Sequence, residues 1–151
     1  MTTSDLNLLS SRLGDLLLSR NLFLTVAESC TGGWLGQSIT SVEGSSRWFG
    51  FGFVTYSNEA KNKILGVSQK TLRSYGAVSE QVVEEMVSGA ILKSDANLGV
   101  AISGIAGPEG GSGGRPVGTG DVNLRTPFSS LLRFIAAIAI DIASSIDISS
   151  L

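Results

Sequence analysis

The chain of 151 residues contains no histidine, one cysteine, three prolines and only 16% charged residues. Without imidazole, a Ser-His-Asp triad, a histidine-ligated zinc and a histidine general acid are all excluded, so any serine nucleophile must be activated by lysine, tyrosine or a carboxylate. The lone Cys30 cannot build a thiolate metal site or an intrachain disulfide, which points to a reducing, cytoplasmic setting. A net charge of -2 offers nothing to nucleic acid. The N-terminus has no basic segment leading into an apolar run, and the longest apolar run, Phe134 to Ile140, falls far short of the ~20 residues of a membrane span. Neither a secretory signal, a membrane segment nor a metal or organic cofactor is expected.

What is present is a 42% apolar composition, enough for the core of one domain over residues 1–151. Leu6, Leu9, Leu13, Leu16 and Leu17 recur at helical spacing, and Ser4 or Thr3 can cap the helix they predict over 4–20. An apolar strand is predicted from Leu22 to Glu28, a helix over 34–40, a polar turn at 43–46 and a glycine-broken strand from Trp48 to Tyr56. Short helices follow over 58–65 and 68–74. Ser79 caps the clearest helix, Glu80 to Lys93, with Val82, Val83, Met86, Val87, Ala90 and Ile91 on one face. Leu98 to Ser103 reads as a further strand, running into a glycine-rich stretch at 104–114. Strands alternating with helices predict an α/β layered sheet with ligands beyond the carboxyl ends of its strands, where Ser29 and Ser103 would both lie.

The most informative segment is Ala27-Glu28-Ser29-Cys30-Thr31-Gly32-Gly33. It places a hydroxyl where a strand ends and a helix begins, beside backbone N–H groups around Cys30 to Gly32 that can hold an oxyanion. Alone, a serine before Cys-Thr-Gly-Gly reads as a helix cap, Tyr56 as a strand-end aromatic and Lys61 as a solvated charge; Cys30 reads as a small buried neighbour. Glu28 suits a substrate ligand, a partner of Lys61 or a cap for the helix start. Lys63 is assigned to the surface, and Trp34, Trp48 and Phe49 to the core or a subunit contact.

That segment, with Gly44-Ser45-Ser46, Val54-Thr55-Tyr56-Ser57-Asn58-Glu59-Ala60-Lys61, Gly76-Ala77-Val78-Ser79, Ser103-Gly104-Ile105-Ala106-Gly107-Pro108 and Pro116-Val117-Gly118-Thr119, resembles the CinA C-terminal domain family over about residues 5–119. The characterised enzymes of that family are nicotinamide-nucleotide amidohydrolases. The resemblance implies a three-layer α/β/α sandwich with a mixed, mostly parallel sheet, in the stand-alone form rather than behind a nucleotide-processing domain. It implies Ser29 as nucleophile assisted by Tyr56 and Lys61, and a pyridine-nucleotide substrate deamidated without a cofactor. For substrate contacts, Glu28, Cys30, Thr31, Gly32, Gly33, Ser46, Ser103, Gly104 and Gly107 are the candidates by position, and a homo-oligomer, a dimer for instance, is compatible with the aromatic pair Trp48 and Phe49. Chemistry agrees on one point independently: a lysine base requires its pKa to fall from about 10.4 toward neutrality, which burial can cause.

After Thr119 the family pattern stops. Gly120-Asp121-Val122-Asn123-Leu124-Arg125-Thr126-Pro127 interrupts the strand the family would place there, and residues 128–151 are mostly Ser, Ile and Ala. The family's Gly-Asp-Arg motif, whose arginine suits a substrate phosphate, does not occur. Leu131, Ile135, Ile138, Ile142 and Ile146 fit a helix by spacing and a strand by their branching. The change is abrupt enough for a shifted reading frame or a diverged terminus. A second reading follows: a catalytically weak or inactive nucleotide-binding or regulatory domain. Phosphoryl transfer has no support, since no Gly-x-x-x-x-Gly-Lys-Ser/Thr is present.

Overall fold

The computed structural model describes residues 3–105, 120–125 and 141. Helix α1 (Thr3–Leu18) leads to strand β1 (Leu24–Glu28), and α2 (Trp34–Thr40) follows it. A 3-10 turn at Ser45–Arg47 then enters β2 (Phe49–Val54). Helices α3 (Asn58–Leu65), α4 (Gln69–Tyr75) and α5 (Glu80–Ser94) lead to β3 (Leu98–Gly104), and β4 (Gly120–Arg125) closes the described sheet. Strand order is β2-β1-β3-β4; β1 is parallel to both neighbours and β4 is antiparallel to β3. The sheet is mixed and mostly parallel, as expected.

Alternation along β1 and β3 divides the core into two layers. Leu24, Val26, Leu98, Val100 and Ile102 face one way and pack with Leu6, Leu13, Leu17, Leu35, Ile39 and Trp48 of the α1/α2 side. Ala27 and Ala101 face the other way, toward Val83, Met86, Val87 and Ala90 of α5. Those second-face residues are small because α5 lies close: a Cβ at Gly99 would sit 2.8 Å from both Val87 and Ile91. Gly89 is a still tighter requirement, since its Cβ would fall 1.9 Å from the Leu65 carbonyl oxygen. A side chain there would push α3 off α5, and with it the lysine that α3 carries.

Most expected elements appear within two residues of their predicted bounds. Trp48 is core, closed over Gly14, whose absent Cβ makes room for the indole. The segment read as an interrupted strand is instead β4, pairing Gly120 with Gly104 and Arg125 with Gly99. Gly, Asp and Asn are poor strand formers, yet Val122 and Leu124 alternate with polar residues along the sequence as a strand requires, and pairing with β3 outweighs propensity. Gly107, the 110–114 glycine stretch, the 116–119 motif and the proposed tail helix lie outside the described residues. Among the described residues no helix is long and apolar enough to cross a membrane.

Candidate active site

Glu28 pairs with Val54 on one side and Ile102 on the other, so β1 and β2 end level and release Ser29 and Thr55 at one edge, beside Ser103 on β3, which runs two residues further. Ser29 still donates its N–H to the Ile102 carbonyl at 3.0 Å, and its own carbonyl takes the Gly32 N–H at 3.1 Å. Gly33 then adopts φ 104°, a left-handed conformation that favours glycine, and α2 begins. The turn fixes Ser29 at the sheet edge while the chain reverses beneath it.

Glycine has no side chain to cap α2, and Glu28 performs that task from the strand. Its Oε2 accepts from the Thr31 hydroxyl at 2.5 Å and the Leu35 N–H at 2.9 Å, and its Oε1 accepts from the Gly36 N–H at 2.8 Å. A carboxylate on orphan N–H groups at a helix start is favoured by charge and by the helix dipole. Glu28 is 1% exposed. Of the three roles weighed for it, the cap is the one its bonds describe, and Thr31, with its hydroxyl committed to Glu28, shares that structural duty.

Lysine 61 arrives from α3. Ser57 caps this helix by accepting the Ala60 N–H at 3.0 Å, and the Gly66 N–H closes its far end on the Asn62 carbonyl. The Lys61 side chain runs inward and is 1% exposed. Its Nζ donates to Ser29 Oγ at 2.8 Å, to the Thr55 carbonyl at 2.9 Å and to the Tyr56 carbonyl at 3.1 Å. All three partners are neutral oxygens. Burial pushes the lysine below its ordinary value of 10.5, opposed by the neighbouring Cys30 sulfur. Cys30 itself is buried, and loss of solvent raises its thiol above 9.0 against the pull of nearby N–H groups and Lys61, so it stays a protonated thiol and not a nucleophile.

Of the expected site residues, the structure brings Ser29, Lys61 and Cys30 together, with Gly32 and Gly33 at the crevice rim. Tyr56 adjoins through its backbone: the side chain is 71% exposed, and the amine reaches Ser29 with no phenol between them. Ser103 is buried and donates its hydroxyl to the Ala77 carbonyl at 2.9 Å, tying the loop before α5 to the sheet edge. Gly104 is half-buried and paired with Gly120. Ser46 is exposed and lies before β2, at the opposite end of the strand from Thr55. The Gly32 N–H is spent on Ser29, which removes it from the expected oxyanion donors. Thr55 was not expected in the site. It contributes a carbonyl, and a backbone acceptor leaves no mark in residue type. A groove of about 280 Å³ lies elsewhere, lined by Leu6, Asn7, Trp34, Gln37, Ser38 and Ser41 between α1 and α2; no ionisable side chain lines it. No group of metal-binding side chains occurs among the described residues.

Comparison with known proteins gives consistent results. The CinA C-terminal domain model matches residues 6–131. Nicotinamide-nucleotide amidohydrolase PncC of Escherichia coli strain K12 is 56% identical over 119 residues, covering 79% of this chain and 72% of that protein. The Pseudomonas putida protein of the same name is 53% identical over 111 residues, 74% of this chain and 69% of that one. Among solved structures, competence/damage inducible protein CihA from Agrobacterium tumefaciens superposes with a TM-score of 0.78 at 35% identity, over 95% of both chains. A CinA superfamily protein from Klebsiella pneumoniae gives 0.77 at 34% identity, also over 95% of both.

Proposed function

The chain belongs to the CinA C-terminal domain family, and from that premise we propose that it is an amidohydrolase that converts nicotinamide mononucleotide to nicotinic acid mononucleotide and ammonia, with Ser29 as nucleophile and Lys61 as base. The substrate follows from relatives at 53–56% identity that carry the nicotinamide-nucleotide amidohydrolase name. The roles rest on one observation, the 2.8 Å approach of Lys61 Nζ to Ser29 Oγ.

The bonding around that amine is what makes it a base. A neutral amine has two protons and one lone pair; the Thr55 and Tyr56 carbonyls take two protons, so the lone pair is left for the Ser29 hydroxyl proton. Burial favours the neutral form, and no carboxylate is among the three partners to hold it charged.

In the forward step Ser29 Oγ attacks the carboxamide carbon as its proton passes to Lys61. The resulting ammonium returns that proton to the departing nitrogen, ammonia leaves and an acyl-serine remains. Water, deprotonated by the same amine, then cleaves the ester and restores the serine. We assign the developing oxyanion to N–H groups of the Cys30–Thr31 turn that follows Ser29, a service worth about 3 kcal/mol per well-placed donor. Ammonia release from nicotinamide mononucleotide, compared between wild type and Ser29→Ala, tests the reading. Equal release above background removes Ser29; none from wild type removes the substrate.

A further inference from the structure

Among the described residues two buried hydroxyl oxygens have no hydrogen-bond partner, Ser10 Oγ and Thr55 Oγ1. Ser10 belongs to α1, whose buried leucines pack on the face of the sheet away from α5. Thr55 stands next to the reacting groups, and the register says how. Ala27 of β1 pairs with Phe53 of β2 and with Ala101 of β3, and all three belong to the layer packed on α5. Two residues on, where side chains return to the same face, come Thr55, Ser29 and Ser103. The ladder reaches that far, since the Thr55 N–H bonds to the Glu28 carbonyl at 2.8 Å and the Ser29 N–H to the Ile102 carbonyl at 3.0 Å. Three hydroxyl residues therefore form a row across adjacent strands, about 5 Å from one to the next, on the face from which Lys61 enters. The Ser103 hydroxyl is donated to the Ala77 carbonyl, and Ser29 Oγ is bonded to Lys61 Nζ. The Thr55 hydroxyl is idle on a residue 0% exposed, although the carbonyl of the same residue holds Lys61 Nζ at 2.9 Å. A buried hydroxyl without a partner costs folding free energy, and valine has the same shape without that cost, so the fold itself makes no use of this oxygen.

We propose that Thr55 Oγ1 holds the water that hydrolyses the acyl-serine, between the end of β2 and Lys61, so that Thr55 acts in the second half of the reaction and not in the first. This step rests on the amidohydrolase reading. A separation of about 5 Å is what one water spans with a hydrogen bond of about 2.8 Å to each side. Once ammonia has left, Ser29 Oγ is an ester oxygen without a proton, and the lone pair of Lys61 is unoccupied while its two protons stay on the Thr55 and Tyr56 carbonyls. A water between the two residues directs one proton at that lone pair and the other at Thr55 Oγ1, which turns an oxygen lone pair toward the acyl carbon. As the new C–O bond forms, the first proton passes to Lys61. When the bond from carbon to Ser29 Oγ breaks, Lys61 returns that proton to the serine, and the acid departs with the oxygen and the second proton of the water. During acylation the same lone pair is engaged by the Ser29 hydroxyl, which leaves Thr55 no part in that half.

Rapid-quench ammonia release from nicotinamide mononucleotide, with the intact mass of the quenched protein, tests the step on wild type, Thr55→Val and Thr55→Ser. Each variant keeps the residue 55 carbonyl and with it the anchor of Lys61. Thr55→Val is expected to release its first equivalent of ammonia at the wild-type rate and then to turn over about 10- to 100-fold more slowly, with the acyl adduct accumulating on Ser29. Its thermal transition is expected at or above that of wild type, since an unpartnered buried oxygen is gone. Thr55→Ser, which keeps the hydroxyl, is expected to turn over without the adduct. A Lys61 displaced by the substitution slows both halves alike, so a first equivalent slowed as much as the steady state overturns the proposal. So does a Thr55→Val that turns over like wild type with no adduct. Should the valine variant not fold, Thr55→Ala deletes the same oxygen and the same outcomes decide. A wild type that releases no ammonia strikes the amidohydrolase reading and this step with it, whereas an active wild type matched by Thr55→Val strikes this step alone.

Discussion

Two glutamate and lysine sets, whose lysines lie two residues apart on α3, do opposite things. Glu59 and Lys63, on the outer face of α3, are 72% and 71% exposed and form an i,i+4 ion pair. Glu28 and Lys61, at the inner end of β1 and on the inner face of the same helix, are each 1% exposed, and neither spends its bonds on the other. Glu28 is used up by N–H and hydroxyl donors of α2, and Lys61 by three neutral oxygens. The difference teaches what burial does to a charge. An exposed pair is screened and nearly interchangeable, whereas a buried amine without a counter-charge is driven toward the neutral form in which it can accept a proton.

The sharpest way to break the comparison is at the reacting atoms. Ser29→Ala should lower kcat by about 10³-fold or more, read as ammonia release. Lys61→Met should lower it by about 10²- to 10⁴-fold, the range of a lost general base, with the thermal transition retained. Its pH dependence carries the sign: with the amine required neutral, wild-type kcat/KM falls as pH drops through a lysine pKa below 10.5, and Lys61→Met loses that limb. Stability obeys the same sign, since a depressed lysine pKa stabilises the fold above the unfolded value and costs it as pH falls, so wild type gains on Lys61→Met as pH rises. Glu28→Ala should cost about 1–3 kcal/mol in urea unfolding by stranding the N–H groups of Leu35 and Gly36. The smallest effect belongs to Lys63→Met, with activity within about twofold and stability within about 0.5 kcal/mol. A Lys63 variant as damaging as Lys61→Met would erase the contrast.

Much of this was legible in the sequence, for identifiable reasons. Helices 34–40 and 58–65 lie where the sequence predicts them, and Lys61 and Lys63 separate because two helical residues apart cannot share a face. The missing histidine narrows the activating group to lysine, tyrosine or a carboxylate before any coordinates, and the family resemblance points to Lys61 among them. What stayed hidden depends on partners distant in the chain. Whether Glu28 meets a substrate or a helix start is decided by how α2 packs back over β1, and whether Ser103 faces a ligand is decided by where the loop at Ala77 passes. The Thr55 carbonyl has no residue-type signature. Strand β4 was obscured by Gly120, Asp121 and Asn123, which only the register with β3 makes acceptable.

The central claim, that burial beside two carbonyls makes Lys61 a neutral base at Ser29, is tested most directly by titrating the lysine Cε and Nζ resonances, with Lys63 as internal reference and Lys61→Met for assignment. Lys61 is expected to titrate below 10.5, in step with the acidic limb of kcat/KM. A Lys61 resonance that titrates at or above the ordinary value of 10.5 would contradict it.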